Sequence, residues 1–132
     1  MENLEHIIKH LKVAFSKDEI KEVVLESEWL IKNRASGIHS TGFCYAASEV
    51  IYRLTGGKNN WKKVAISKAK WEHGGHCYLI NKGTNTILDI TSDQYELLGI
   101  SIPYELGMPG GFRQVSKKAN KLSVLAGLGE IK

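Results

Sequence analysis

The stretch WEHGGHCYLINKGTNTILDIT, residues 71–91, holds two short β-prone runs, HCYLIN and TNTILDIT, on either side of a Lys-Gly pair. Gly83 can supply the positive φ of a tight turn, so the segment predicts an antiparallel hairpin. With Lys82 and Gly83 as the two central residues, His76 lies directly opposite Asp89, their Cβ atoms roughly 4.5–5.5 Å apart. A four-residue loop over 82–85 would make them diagonal neighbours instead. They share a face either way, because a register shift of two preserves the alternation of side chains. That alternation sends Cys77 to the opposite face, where a buried core role suits it.

Upstream of the hairpin the period changes. Leu4, Ile7, Ile8, Leu11, Ala14 and Phe15 recur at helical spacing over residues 2–15. SKDE then reads as a capping box, Ser16 accepting from the first turn and Glu19 reaching back. It predicts a second helix from Lys17 to Lys32 with Ile20, Val23, Val24, Leu30 and Ile31 inward. NRASGIHSTG reads as a loop. A third helix follows from Cys44, its stripe Ala47, Val50, Ile51 and Leu54 ending at TGGKNN. KKVAIS adds a further strand, and Trp61 just before it reads as an exposed loop anchor. The segment 93–112 carries both prolines and reads as a long loop, before a closing helix. Helices first and strands second predict an α+β chain with N-terminal helices packed on a small antiparallel sheet. The expected organisation is one domain over 1–132, with a helical region at 1–55, a sheet region at 60–112 and a C-terminal helix at 114–127.

The chain's 132 residues are 42% hydrophobic, enough for one domain with a real core. A net charge of +4, with cations interleaved among acids, gives no nucleic-acid arm. Its two cysteines, without CxxC spacing, fit a reducing compartment, and the charged N-terminus reads as neither signal peptide nor membrane span. The expected location is the cytoplasm, with no membrane or nucleic-acid partner and no cofactor.

STGFC places Cys44 in the first turn of its helix, where unpaired N–H groups and the helix dipole favour an anion. A nearby imidazolium does the same, and the thiolate is the nucleophilic form. Gly42 permits a sharp turn and close approach of substrate backbone. Cys44, His76 and Asp89 therefore divide as nucleophile, proton carrier and orienting acid. The plain alternative for Cys44 is a small buried residue. A zinc site from Cys44, His73, His76 and Cys77 is the second reading, though adjacent strand residues would have to converge from opposite faces, so the expected metal set is none. Asp93 and Gln94 suit a turn or helix start, and Gln94 could instead donate to substrate or to His76. Trp71, Phe43 and Tyr78 are candidate cleft residues, and IPYELG is expected to fix a loop over the site without Tyr104 taking part in catalysis.

GFCYAASEVIY, HCYLIN, ILDITSDQY and IPYELG together resemble the YunG-like family of small bacterial and phage proteins, within the papain-like and transglutaminase-like cysteine enzymes. The resemblance covers residues 40–107, and DITSDQY is its most specific segment. It implies a papain-like fold with a catalytic triad, in a host cytoplasm if the protein is phage-encoded. Where that family often has Gln before the cysteine, this chain has Phe43. Candidate oxyanion donors are then the Cys44 amide with Ser40 or Thr41, and Gln94. The expected activity is that of a cysteine hydrolase or acyl-transferase on an amide, isopeptide or thioester bond of a protein, peptide or small amide. The alternative is a non-catalytic binding or inhibitory protein on the same scaffold. Neither the substrate nor the oligomeric state is legible.

Overall fold

A computed structural model describes residues 3–132. The chain is α+β: the helices α1 (Leu4–Phe15), α2 (Asp18–Val24), α3 (Ser27–Ser36) and α4 (Cys44–Leu54) precede β1 (Trp61–Ile66), β2 (His76–Asn81) and β3 (Ile87–Leu88). A short α5 (Asp93–Glu96), β4 (Met108–Gly110) and α6 (Lys117–Leu125) complete it. The four strands lie in the order β3-β2-β1-β4, every pair antiparallel.

The apolar stripe of α1 is buried through Ile7, Leu11, Ala14 and Phe15, and Asn3 caps its first turn by accepting from the amide of His6. Ser16 does not open the next helix. It closes α1, donating its hydroxyl to Val13 O at 2.6 Å, so the expected capping box does not form. The expected Lys17–Lys32 helix is also two helices, broken where Leu25 and Glu26 turn extended. The break lets Leu25 bury while Trp29 and Leu30 fold back against the core. It leaves Val23 and Ile31, expected inward, on the surface.

α3 then runs on to Ser36, into the expected loop, and Gly37 at φ 71° ends it. Its one buried residue, Asn33, donates to His39 O and Thr41 O, both at 2.9 Å. Those two bonds fix the path of the segment that delivers Cys44. Each is worth about 1 kcal/mol net, and more if its loss strands the buried carbonyl.

α4 buries Ala47, Val50 and Ile51 between the other helices and the sheet. Trp61 belongs to this core: it is 4% exposed, not a loop anchor, and its Nε1–H donates to Thr55 Oγ1 at 2.7 Å. It buries because it is the first residue of β1, on the side of the sheet that meets the helices. The opposite side carries Val64, Ile66 and Tyr78, covered by Trp71, Ile102, Tyr104 and Leu106. The segment read as a loop thus forms a second layer, hiding the face that His76 shares with Tyr78. α6 is shorter than expected; Ser116 caps it by accepting from Ala119 N at 3.1 Å. No helix among the described residues is long and apolar enough to cross a membrane.

Candidate active site

β2 and β3 pair Leu79 with Leu88 and Ile80 with Ile87, so the turn is the four-residue loop 82–85. Asn81 explains the longer loop: its Oδ1 accepts from the amides of Gly83 and Thr84, an Asx-type turn that the two-residue reading lacks. His76 and Asp89 are diagonal neighbours on one face. His76 Nε2 lies 2.6 Å from Asp89 Oδ2, the ring wholly buried and the carboxylate nearly so.

Three aromatic side chains build the walls around this pair. The Tyr95 ring meets His76 edge-on at 5.0 Å, and Tyr78 stacks on it at 6.0 Å. Tyr104 donates its hydroxyl to Asp89 Oδ2 at 2.8 Å, and Thr91 donates to Asp89 Oδ1 at 3.4 Å. Burial, then the neighbouring carboxylate, push the Tyr104 pKa up, so it remains a neutral donor.

Burial pulls the imidazole of His76 towards its neutral form. The Asp89 hydrogen bond, the Cys44 side chain and the charges of both outweigh it and raise the ring to about 9. With Nε2 held by Asp89, the remaining ring nitrogen, Nδ1, is buried and has no hydrogen-bond partner. It is the atom left for the thiol of Cys44.

Cys44 opens α4 after Phe43, which is fully buried and stacks on Phe15 at 4.6 Å. Gly42, at φ 89°, makes the sharp turn before it. Cys44 is 6% exposed, and its sulfur lies 4.0 Å from Gly75 O. The first-turn amides of α4, that of Cys44 included, have no acceptor within the helix. They are available to an anion.

Of the other oxyanion candidates, Ser40 donates its hydroxyl to Asp93 Oδ1 and Thr41 Oγ1 shares a hydrogen with Ser36 at 3.1 Å. Both hydroxyls are committed to holding the loop. Gln94 stands differently. Its Oε1 accepts from Gly42 N at 3.5 Å, while its Nε2 is buried without a partner and its side chain lines the pocket that contains Cys44. The chain matches no known protein family, curated protein or solved structure.

The cleft differs from the sequence expectation. Phe43 and Tyr78 are core residues with at most 1% exposure, because the turn at Gly42 points Phe43 at α1 and the second layer covers Tyr78. Trp71 stands one layer back, against Tyr95 at 4.9 Å and His73 at 5.4 Å. The walls beside Cys44 are Trp29 and Tyr45. Tyr45 directly follows Cys44 in the sequence, whereas Trp29 belongs to the stretch expected as one helix over 17–32, which breaks at Leu25 and Glu26.

The four candidate zinc ligands do not converge, and no group of three or more His, Cys, Asp or Glu among the described residues could hold a metal. Cys77 is fully buried on the helix-facing side, and burial, then the charge of Cys44, push its thiol up to about 12. His73 is partly exposed, 3.5 Å from Glu72.

Proposed function

We propose that the protein is a cysteine-dependent hydrolase or acyl-transferase acting on an amide, isopeptide or thioester bond. The observation that carries this reading is the buried His76, gripped by Asp89 through Nε2 at 2.6 Å and left with an unpartnered Nδ1 beside Cys44. A ring that keeps its proton to about pH 9 is a cation next to the sulfur at neutral pH, which favours the thiolate. Cys44 Sγ attacks the carbonyl carbon and the bond to the leaving group breaks. His76 gives its proton to the departing amine or thiol. Water or an acceptor amine, deprotonated by the neutral ring, then takes the acyl group from sulfur. The amide of Cys44 and Gln94 Nε2 are the donors we assign to the oxyanion.

The order of a cysteine on a helix start, a histidine on a strand and an acid on the next segment also supports a papain-like layout and kinship with the YunG-like proteins. The lack of a Gln just upstream of Cys44 is met in this reading by Gln94, brought in from α5.

Alkylation by iodoacetamide across pH 4–10, read by mass spectrometry, tests the pair. Cys44 is expected to react faster than Cys77 and to lose that reactivity in a folded His76→Ala protein. Cys77 serves as the buried control. An inert Cys44, or one indifferent to His76, would overturn the enzyme and favour a binding protein on the same scaffold.

A further inference from the structure

Lys63 stands where a central strand calls for an apolar side chain. β1 lies between β2 and β4, and alternation puts Lys63 with Trp61 and Ala65 on the side of the sheet that meets the helices. There its ammonium lies 4.5 Å from the centre of the Phe112 ring and 5.5 Å from that of Tyr45. It forms no ion pair among the described residues. Its one hydrogen-bond acceptor among them, Gly111 O at 3.4 Å, occupies one of the three N–H donors of an ammonium. The two rings offset part of the cost of half-burying this cation, but they supply no counter-charge.

Lys63 lines a hollow of about 420 Å³ walled by Leu25, Trp29, Tyr45 and Phe112. Trp29, Gly42 and Tyr45 also line the pocket that contains Cys44, so the hollow adjoins the sulfur. The other charges on its walls are already answered. Lys118 pairs with Glu26, and Glu49 accepts from Arg53 Nε at 2.7 Å and from Ser116 N at 3.1 Å. Each acid faces a cation, and Lys63 is the cation left over. Tyr52 meets Phe112 edge-on at 5.1 Å, so that wall has a support besides Lys63. One unpaired ammonium suits a singly charged anion. A phosphate dianion calls for a second cation, and Lys118 and Arg53 are both taken.

We propose that this hollow binds the carboxylate of an organic acid, Lys63 taking the charge and Trp29, Tyr45 and Phe112 the apolar or aromatic stem behind it. The proposal rests on the acyl chemistry of the preceding section and names its substrate: an amide or thioester that carries a free carboxylate on its acyl group. The stem presents the other carbonyl to Cys44 past the shared walls Gly42 and Tyr45. Cys44 Sγ bonds to that carbonyl carbon, the bond to the amine or thiol breaks, and the leaving group departs with the proton from His76. The carboxylate at Lys63 is unchanged throughout.

The test compares thioesters of 3-phenylpropionic acid with and without a para-carboxylate on the ring, acylation of Cys44 being followed by intact mass in a single turnover. A charge-assisted hydrogen bond to Lys63 is expected to speed the carboxylate-bearing donor by at least about tenfold. A folded Lys63→Gln protein should level the two donors, while Lys63→Arg, which keeps the charge, should retain the preference. Binding is read without turnover from the NMR shift of the Trp29 indole N–H. There 3-phenylpropionate should bind at least about tenfold tighter than 3-phenylpropionamide. N-acetylphenylalanine, a chain-end carboxylate, is titrated beside 3-phenylpropionate, and the tighter of the two tells whether the acid is a peptide end or a small molecule. Equal rates with and without the carboxylate, or a preference that survives in Lys63→Gln, overturn the acid site while the acyl chemistry stands. If the acid binds through Lys63 yet no thioester acylates Cys44, the acid site stands and the acyl chemistry falls.

Discussion

Asp89→Asn keeps the shape of the acid and removes its charge. The raised pKa of His76, about 9 against an ordinary 6.5, corresponds to about 3 kcal/mol favouring the protonated ring, at 1.36 kcal/mol per unit. Asp89 supplies the larger share, through its hydrogen bond and its charge, with Cys44 behind it. In the Asn variant one carbonyl must serve both Nε2–H and the Tyr104 hydroxyl, which now share Oδ2. Burial then prevails, and the ring pKa is expected to fall below 6.5. Cys44→Ala should lower it by less. NMR titration of ¹⁵N-labelled histidine reads this directly, with His76 assigned among the five by substitution. Stability follows with a definite sign. Because the folded pKa is raised, the ring's contribution is fully present below about pH 6.5 and is lost as pH rises through about 9. Urea unfolding of the wild type should therefore weaken by up to about 3 kcal/mol over that window, while the Asn variant lacks this loss. A ring that still titrates near 9 in Asp89→Asn would refute the account of the site.

Gln94→Ala should slow acyl transfer by roughly 10²- to 10³-fold while leaving the alkylation of Cys44 by iodoacetamide nearly unchanged, since alkylation forms no oxyanion. Asn33→Ala should destabilise the fold by about 2–4 kcal/mol in urea unfolding, because it strands the carbonyls of His39 and Thr41. Tyr104→Phe removes a hydrogen bond to a charged oxygen and should cost about 1.5–3 kcal/mol at neutral pH by the same measurement. Cys77→Ala, on the helix-facing side of β2, should leave the pH profile of Cys44 alkylation in place, and a profile lost with Cys77 would mean the wrong thiol had been assigned.

The hairpin was legible because alternation constrains it: the turn proved two residues longer than the tightest reading, yet His76 and Asp89 stayed on one face. The helix start at Cys44 was legible from Gly42 and the apolar stripe behind it. The break at Leu25 was not, since a stripe running on from Ile20 is periodic whether or not the helix continues. One cleft wall was lost with it, since Trp29 moves to a separate helix, while the turn at Gly42 puts Phe43, an expected wall, into the core. The neighbours of the His76–Asp89 pair were hidden for another reason. Tyr104 and Tyr95 reach the site through segments with no period of their own, and only the packing of residues 92–107 onto the sheet brings them there.

Stability alone gives little reason for the His76–Asp89 pair. Two groups this deeply buried carry a desolvation cost that an apolar pair of similar size avoids, and such replacements are often neutral or stabilising. The second layer makes that cost larger, because Ile102, Tyr104 and Leu106 cover the face of the sheet that would otherwise wet the ring. The remaining polar atoms point the same way. Four buried side-chain atoms among the described residues lack a partner. Two of them, Asn33 Oδ1 and Arg53 Nη2, belong to side chains whose other atoms hold the fold together. The other two, His76 Nδ1 and Gln94 Nε2, both stand beside Cys44. An imidazole nitrogen and an amide donor left without partners next to one sulfur are costs to folding that, in the reaction we propose, a carbonyl arriving at Cys44 would use: the first as the proton leaves for the departing group, the second as negative charge develops on the oxygen.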